Sequence, residues 1–409
     1  MNLHTRLTLT ALVLATAIVG ACQESDRTSD SGDQVSILRA SGERVFDMTA
    51  APAVVHDEIL SFPLREGRVL AVVDETDQSL LIYDYSAGHL IRDIPIGQKV
   101  KAELAIDDVF VNGYYVAGMD SIFALLNPHN ILLLFDTSGA IRRHWKVGGT
   151  RLNGHAYGLL ASLNQSPLAW RQGRMIVSQQ LEGGDFAENP SRRRLKFNSP
   201  PDVELELGDD TVAVREVGTF PQIMLGDFYY DVIGARTIGP NGETVYAYGV
   251  SDSIYIWREG RPTVAVAARS AYRKVDFAPF DTARYQDVAY IKEYWATEAR
   301  YGNILYDPWR RCYYRFVAHN QDFRSSDGHV NLFRDKPWSV MILDEDFRVV
   351  GEQAFVAKEY FFPNALVTED GLLVEMSGAV TTTDDRNMVR YRVFATDLSS
   401  GEEVQRGTR

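Results

Sequence analysis

Short apolar runs separated by turn-forming residues make up most of this chain. From about Val35 onward the runs are four to eight residues long, rich in Val, Ile, Leu, Tyr and Phe, and they end at Gly, Asn or Asp. Such runs are typical of β-strands joined by tight turns, because branched and aromatic side chains fit a pleated, half-buried surface. The best helical candidate is Asp281 to Arg300, where the apolar positions are partly periodic. The pattern therefore predicts an all-β body.

One strand-and-turn unit recurs along the chain. Asp84-x-Ser-x-Gly88 and Asp397-x-Ser-x-Gly401 are the same turn, and Asp136 and Asp344 end similar apolar strands. In such a turn the carboxylate accepts a hydrogen bond from the backbone two residues on, and Gly adopts the positive φ. The interval from Asp84 to Asp136 is 52 residues, and that from Asp344 to Asp397 is 53. A period of this length with three or four strands per unit predicts a β-propeller; an unrelated pair of β-sandwiches is the alternative.

The repeat predicts a single propeller domain over residues 35–409 with six blades, and seven is the main rival count. We expect the strand that begins at Val35 to join the last blade, because this pairing closes the ring and leaves no open seam between the two ends of the chain. The predicted units lie near residues 66–98, 119–148, 173–221, 242–270, 302–355 and 371–398, with insertions in the third and the fifth.

The N-terminus has the features of an exported, lipid-anchored protein. A polar start is followed by an apolar run from Leu7 to Val19, and Val19-Gly-Ala-Cys22 resembles the lipobox of bacterial lipoproteins. The resemblance implies a signal peptide over residues 1–21 and a diacylglyceryl thioether on Cys22. A transmembrane helix is the alternative, but it needs about 20 apolar residues and this run is shorter. Ordinary signal cleavage near Cys22 is a second alternative.

Residues 22–34 are predicted to be a flexible tether. No apolar residue occurs from Gln23 to Asp33, so this segment cannot bury a core. Gln rather than Asp follows Cys22, and by resemblance to Gram-negative lipoproteins this implies the outer membrane, at its periplasmic face or at the cell surface. The net charge of −13 argues against a nucleic-acid partner. If Cys22 is lipidated, Cys312 has no disulfide partner, and we expect a buried structural thiol.

The residues offer few candidates for chemistry. The chain contains no Gly-x-Ser-x-Gly, His-Glu-x-x-His, Walker, Gly-x-Gly-x-x-Gly or Cys-x-x-Cys motif, and its eight histidines are scattered, so we expect no cofactor and no metal centre. His155 and Tyr157 lie in a glycine-bearing loop between units, where propellers often bind ligands. Arg310, Arg311 and Tyr313 belong to the densest cluster of arginines and aromatics, which favours a binding surface; a plain hairpin is the alternative.

With these residues in view, the chain resembles a family of lipoproteins of Bacteroidetes-type bacteria described as a domain of unknown function (DUF4221), and it is similar to six-bladed propeller lipoproteins of the same bacteria. The resemblance covers about residues 60 to 400 and is carried by four runs. It implies a β-propeller and a lipid anchor, but no activity and no catalytic residues. The runs are Leu81–Asp84 with Gly88, Ile131–Asp136, Asn303–Phe316 and Phe362–Leu366.

The function predicted from the sequence is that of a binding module. A repeat scaffold without catalytic motifs, held at a membrane by lipid, suits the capture of a protein partner or an extracellular ligand at the central funnel or on the loops. The alternative is a propeller-type hydrolase or lyase that acts through His, Asp and Glu residues at the funnel. A structural protein of the envelope is a third hypothesis.

Overall fold

The protein folds as a six-bladed β-propeller. The computed structural model describes residues 37–48, 59–136, 138–147, 151–152, 155–156, 159–162, 164–180, 190–230, 234–273, 275–377 and 388–396. The propeller lies in the unit formed by residues 37–409. The predictions for the signal peptide, Cys22 and the tether fall outside the described residues. The six-blade prediction is confirmed, and the rival count of seven is wrong.

Each blade is an antiparallel sheet whose strands follow one another from the propeller axis outward. Blades 1 and 2 contain β2 (Ile59–Leu64), β3 (Gly67–Asp74), β4 (Ser79–Asp84), β5 (Leu90–Ile94), β6 (Phe110–Gly118), β7 (Ser121–Asn127), β8 (Ile131–Phe135) and β9 (Ile141–Lys146). A short pair, β10 (Arg151–Leu152) and β11 (His155–Ala156), follows. Blades 3 and 4 contain β12 (Leu159–Ala161), β13 (Ala169–Arg171), β14 (Arg174–Gln180), β15 (Asp202–Leu207), β16 (Val212–Val217), β17 (Gly234–Ile238), β18 (Thr244–Tyr248), β19 (Ser253–Trp257) and β20 (Val264–Ala267). Blades 5 and 6 contain β21 (Arg300–Asp307), β22 (Cys312–Ala318), β23 (Trp338–Asp344), β24 (Val349–Phe355), β25 (Tyr360–Thr368), β26 (Gly371–Met376), β27 (Met388–Thr396) and β1 (Leu38–Asp47).

The N-terminal strand closes the ring. β1 pairs antiparallel with β27, from Leu38 opposite Thr396 to Asp47 opposite Met388, and forms the outermost strand of blade 6. Phe46 on this strand is fully buried and packs with residues of blades 1 and 6. The predicted closure is thus confirmed, although the strand begins at Leu38 rather than Val35.

The core lies between neighbouring blades. The middle strands of a blade are covered on both faces by the next sheets, so they form nearly continuous apolar runs such as Ile131–Phe135. The outer strands expose more of their side chains, as in β9, where Arg142, Arg143 and His144 face solvent. Apolar burial between sheets therefore accounts for the strand composition seen in the sequence.

The Asp turn forms at Asp84 with glycine at positive φ as predicted, but the carboxylate bonds the amide three residues on rather than two. The Asp84 carboxylate accepts a hydrogen bond from the Ala87 amide at 2.6 Å, and the amide of Gly88 donates to the Asp84 carbonyl at 2.9 Å. Gly88 has φ +72°, and a Cβ there would lie 2.5 Å from the Val45 carbonyl oxygen on β1. Glycine is therefore required both by the turn and by the close approach of the closing strand. The equivalent turn at 397–401 falls outside the described residues.

The two ends of the propeller differ in the length of their connections. One end, which we call the turn face, carries tight turns, of which the longest is 258–263. The opposite end, the insertion face, carries the connections 95–109, 147–158, 181–201, 218–233, 268–299 and 319–337. Because every strand in a blade reverses direction, alternate connections emerge at the same end. Long connections commonly carry function, so the insertion face is where a site is expected.

All four α-helices formed by the described residues belong to the insertion face. They are α1 (Ile96–Leu104), α2 (Pro190–Asn198), α3 (Ile223–Gly226) and α4 (Val288–Thr297). The segment 281–300 forms a 3-10 helix over Thr282–Arg284 and then α4, whose first amides are capped by the Asp287 carboxylate. The sequence did not single out the other three helices, which are short. No helix in the described part of the chain is long and apolar enough to cross a bilayer.

Candidate functional site

Four of the six inner strands are irregular where they line the propeller axis. The register shifts at Asn112 in β6, at Gly302 and Asn303 in β21, and between Phe361 and Leu366 in β25. In blade 3 the inner strand is split into β12 and β13 by residues 162–168. Asn, Gly and Pro are poor residues for a regular strand, so these positions favour bulges. The bulges turn polar side chains toward the axis and the neighbouring blade.

Asparagines at these bulges connect neighbouring blades. The Asn112 side-chain oxygen accepts a hydrogen bond from the Ser162 amide of blade 3 at 3.0 Å. The Asn303 side-chain nitrogen donates to the Pro363 carbonyl of blade 6 at 2.9 Å. These contacts fix the inner strands against one another and set the width of the central channel.

A chain of hydrogen bonds crosses the axis. Asn164 of blade 3 donates to the side-chain oxygen of Asn364 in blade 6 at 2.8 Å. Blades 3 and 6 lie opposite each other in a ring of six, so this contact spans the channel. Asn364 in turn donates to the carboxylate of Glu375 at 2.6 Å. We call Asn164, Asn364 and Glu375 the axial amide chain.

The axial amide chain places one carboxyl group in a partly desolvated position. Burial raises the pKa of Glu375 to about 7, and the hydrogen bond from Asn364 acts in the opposite direction. Within the described residues, the side-chain oxygens of Asn164 and Asn303 are buried and have no hydrogen-bond partner. The axis therefore offers acceptor oxygens to a donor group.

Beside the axial amide chain, the insertion face contains a cavity of about 180 Å³, which we call the aromatic pocket. Gln165, Gly302 and Pro363 of the inner strands form its axial side. The outer walls come from the connections 268–299 and 319–337 together with strand residues. Six rings form the apolar surface: Phe277, Tyr294, Trp295, Tyr301, Phe333 and Phe362.

Packing holds these rings in place. Trp295, in the last turn of α4, contacts Phe333 edge to face at a centroid distance of 5.6 Å. Phe362 stacks on Phe316 at 5.8 Å. A Cβ at position 302 would lie 2.9 Å from the Phe362 ring, so Gly302 allows that ring to approach the axis. The pocket is thus preformed, as ligand sites usually are.

One cationic side chain, Arg300, lines the pocket, and a second, Lys336, is buried close to its wall. The Arg300 guanidinium stacks over Trp295, with its carbon 4.3 Å from the ring centroid. Lys336 is only 2% exposed, and its ammonium donates to the carbonyl oxygens of Glu298 and His319. Glu298 is the residue that ends α4, so Lys336 satisfies a free carbonyl of that helix.

The charge state of Lys336 depends on this environment. The pKa of Lys336 is lowered to about 7, chiefly by burial and also by the positive charge of Arg300, while Glu298 acts in the opposite direction. Arg300 and Glu298 both line the aromatic pocket, and Phe333, another wall residue, lies 5.9 Å from the ammonium. The pocket therefore has an apolar body with one basic and one acidic residue, Arg300 and Glu298, among its lining.

The structure places the predicted arginine cluster on the turn face, in the hairpin between β21 and β22. Arg310 donates to the backbone carbonyls of Thr368 at 3.1 Å and of Glu369 at 2.8 Å, which ties blade 5 to blade 6. Arg311 has φ +52° and pairs with Glu345, to which its Nε donates at 2.9 Å. Both arginines therefore make intramolecular contacts at the end of the propeller opposite the aromatic pocket.

Tyr313, the third member of that cluster, is fully buried between Tyr306 and Phe347, at ring-centroid distances of 4.9 and 5.1 Å, and offers no surface to a ligand. The backbone of His155 pairs with Leu152 in the connection between blades 2 and 3, while its side chain and Tyr157 lie outside the described residues. The described residues thus do not bring the predicted candidates together.

The sequence did not identify the residues that meet at the site, because they form no motif. They are recognisable only as residues that interrupt strand-like runs. Asn303 and Asn364 stand inside apolar strand-like runs, and Pro363 interrupts one of them. Such residues weaken a strand, so their presence marks a bulge or a close approach. The contact between Asn164 and Asn364, which are 200 residues apart, follows only from the ring.

Cys312 is buried, and burial raises the pKa of its thiol to about 12. In the part of the chain that the structure describes, no three His, Cys, Asp or Glu residues are arranged to hold a metal ion.

Comparison with known proteins identifies the family of this chain and a solved structure with the same fold. The sequence model for "Domain of unknown function (DUF4221)" matches residues 56–354. No curated protein matches the chain. A crystal structure of a DUF4221 family member from Bacteroides vulgatus has a TM-score of 0.70 at 18% identity, covers 88% of this chain and 97% of its own, and shows the fold alone.

Two further solved structures are more distant. A protein described as exported, from Bacteroides fragilis, has a TM-score of 0.48 at 10% identity, covering 88% of this chain and 96% of its own. Virginiamycin B lyase from Staphylococcus aureus has a TM-score of 0.41 at 7% identity, covering 86% of this chain and 98% of its own. At these scores neither similarity supports an inference about activity.

Proposed function

The chain belongs to the family described as a domain of unknown function (DUF4221), and from that premise we propose that it is a lipid-anchored propeller of the cell envelope that binds an extracellular ligand in the aromatic pocket. The anchor is Cys22, which follows the apolar run and the small residues Gly20 and Ala21. The tether from Gln23 to Asp33 lets the propeller stand away from the bilayer.

The observation that carries this proposal is the position of the aromatic pocket. It lies on the face that holds the long connections, next to the axis, and it combines six aromatic rings with a few polar groups. A concave, mostly apolar surface with a small number of convergent polar groups is the usual form of a small-molecule site. The rings supply contact area, and polar lining residues such as Gln165 and Glu298 supply orientation.

A blocked pocket tests the proposal. Ala278 lines the pocket and is exposed, so Ala278→Trp should fill the entrance without disturbing the core. Ala265, exposed on the outer strand β20 away from the pocket, gives the matched control Ala265→Trp. Each full-length protein would be purified from solubilised envelope, and the small molecules released on denaturation would be identified by mass spectrometry.

We expect at least one small molecule to be recovered with the wild type and with Ala265→Trp and to be strongly depleted with Ala278→Trp. Equal recovery from all three proteins, or no recovery from any, would contradict ligand binding in the pocket. Circular dichroism of each variant shows whether the propeller is intact, so that a loss of ligand is not confused with misfolding.

A further inference from the structure

We infer that the aromatic pocket takes a planar aromatic compound with a hydrogen-bond donor, whose ring packs on the pocket rings and whose N–H or O–H meets the carboxylate of Glu298. This inference rests on the proposed function, because it names the class of ligand for the same pocket. Three observations carry it together: the volume of the cavity, the rings that are fixed from behind, and a lining carboxylate that accepts no hydrogen bond.

The volume of the pocket suits one or two fused rings. The cavity measures about 180 Å³. An apolar cavity of about 150 Å³ in another protein holds benzene. Beyond the six rings, much of the lining is small or apolar, with residues such as Val250, Ala299 and Ala318. A compact and mostly apolar ligand therefore fills this space.

Two of the pocket rings are fixed from behind by buried arginines. The guanidinium carbon of Arg315 lies 3.5 Å from the centroid of Tyr301, and that of Arg273 lies 4.5 Å from the centroid of Phe277. Neither arginine lines the pocket, so each covers the face of its ring that is turned away from the cavity. Arg315 is bonded to backbone carbonyls of blade 4, and Arg273 to the carboxylate of Asp252. The rings are thus held in position before a ligand enters.

The arrangement of the rings favours an aromatic ligand over an aliphatic one. Phe277 meets Tyr301 edge to face at 5.8 Å, as Trp295 meets Phe333 at 5.6 Å. Pairs of this kind are more stable than the area that they bury would give, because the positive edge of one ring meets the negative face of another. A ligand ring extends this set of pairs, whereas a saturated ring of the same size buries area without forming them.

The polar groups of the lining call for a donor on the ligand. The hydroxyl groups of Tyr294 and Tyr301 donate to the Ala278 carbonyl at 2.7 Å and to the Asp252 carboxylate at 2.8 Å, so both donors are used within the protein. Glu298 is half-buried, and its carboxylate forms no hydrogen bond or ion pair with any residue that the structure describes. A carboxylate only accepts hydrogen bonds, and a partly buried one is stabilised by a donor from the ligand.

Two matched pairs of compounds test the two parts of the inference. Indole and benzofuran have the same shape, but only indole donates a hydrogen bond; phenol and cyclohexanol share a hydroxyl group, but only phenol is planar. Each compound would be titrated with the full chain at pH 7 and followed by ligand NMR. We expect indole to bind about tenfold more tightly than benzofuran, the order of one hydrogen bond to a charged group. Phenol should bind about fivefold more tightly than cyclohexanol, the order of one or two ring contacts.

One pair of variants locates the donor. Glu298→Gln removes the charge and keeps the size of the side chain, so it should lower indole affinity by about fivefold and leave benzofuran affinity within about twofold. Glu293→Gln makes the same change at an exposed position of α4 and should alter neither affinity. Because both compounds are compared in the same protein, a general loosening of the pocket would not mimic the loss of the acceptor.

A second pair of variants locates the ring. Trp295→Leu should lower phenol affinity by about fivefold and change cyclohexanol affinity by less than about twofold. Trp309→Leu, at a 47% exposed position on the turn face, should change neither. Phe333→Leu removes the neighbouring pocket ring and gives the same test if Trp295→Leu does not fold.

Equal binding of indole and benzofuran, equal binding of phenol and cyclohexanol, or a response to Glu293→Gln equal to that of Glu298→Gln would overturn the inference. If a natural ligand is recovered in a manner that depends on Ala278 while none of the four compounds binds, the proposed function stands and the ligand class is wrong. If indole binds equally well to Ala278→Trp and to the wild type, its site lies outside the aromatic pocket and the inference is wrong.

Discussion

At the scale of single residues, polar side chains in apolar surroundings define the site. Asn303 and Asn364 break regular strand pairing, and each uses its side chain to contact another blade. Lys336 satisfies carbonyls at the end of α4, at the cost of burying an ammonium. A buried polar group is tolerated where its hydrogen bonds are made, so these residues couple the stability of the propeller to the shape of the pocket.

The pH dependence of stability should report on Lys336. Its pKa is lowered to about 7 in the folded protein, against 10.5 ordinarily, so between these values the unfolded chain binds a proton that the folded chain lacks. The contribution of Lys336 to stability therefore rises with pH over that window, by up to about 1.4 kcal/mol per pH unit. Lys336→Met should lose this rise in urea unfolding between pH 7.5 and 9.5.

The matched control is Lys292→Met, since Lys292 is exposed on α4. It should keep the slope of the wild type. The pH window also avoids Glu375, whose pKa of about 7 places most of its titration at lower pH. Identical slopes for the wild type and Lys336→Met would show that the ammonium is not held out of water.

At the scale of elements, the closing strand adds strand pairing to the propeller, whereas the bulged inner strands lose some of it. β1 completes blade 6 and covers an edge that would otherwise be open, so it stabilises the closed ring. The bulges in β6, β21 and β25 weaken pairing locally and gain contacts with other blades, of which the β25 contact spans the channel. The regular strands therefore stabilise the propeller, and the irregular inner strands place polar side chains near the axis.

The contribution of the closing strand can be measured at Phe46. Its ring is fully buried and contacts the rings of Tyr85 in blade 1 and Tyr391 in blade 6, each at 6.0 Å. Phe46→Ala should lower the free energy of unfolding by roughly 3–5 kcal/mol, because it leaves a cavity between the two blades.

Val45 on the same strand is 39% exposed and points to the other side. Val45→Ala should therefore change the free energy of unfolding by no more than about 0.5 kcal/mol in the same denaturant titration. A small effect of Phe46→Ala would mean that ring closure does not depend on the packing of β1.

At the scale of the whole molecule, the closing strand and the aromatic pocket lie in different parts of the propeller. β1 is the outermost strand of blade 6, away from the axis. The aromatic pocket lies at the axis on the insertion face.

The attachment itself is tested by Cys22→Ser. If the lipid on Cys22 is the anchor, this variant should leave the membrane fraction and remain a folded propeller, because the anchor is outside the packed core. Fractionation after a salt wash and circular dichroism of the released protein measure the two properties.

Cys312→Ala is the control, since this buried thiol is remote from the N-terminus in the sequence. It should stay in the membrane fraction. A Cys22→Ser protein that also stays there after the wash would mean that another part of the chain holds it to the bilayer.

The sequence by itself determined the repeat, the closing strand and the Asp turns, and it favoured six blades with seven as the rival count. These depend on local rules, because apolar spacing and turn residues act within a few positions of the chain. It also pointed to Arg310, Arg311 and Tyr313, since clusters along the chain are visible in a sequence. Their intramolecular contacts on the turn face could not be read from that clustering.

Only the tertiary structure decided which residues meet at the axis. Asn164, Asn303 and Asn364 come from three different blades, and no local pattern joins them. Their proximity arises because six sheets pack side by side through apolar burial until the ring closes, which brings every inner strand to one channel. Residues far apart in the chain therefore form one site only when the ring closes. The physical reason is that packing between sheets, not spacing in the sequence, sets the distances between their side chains.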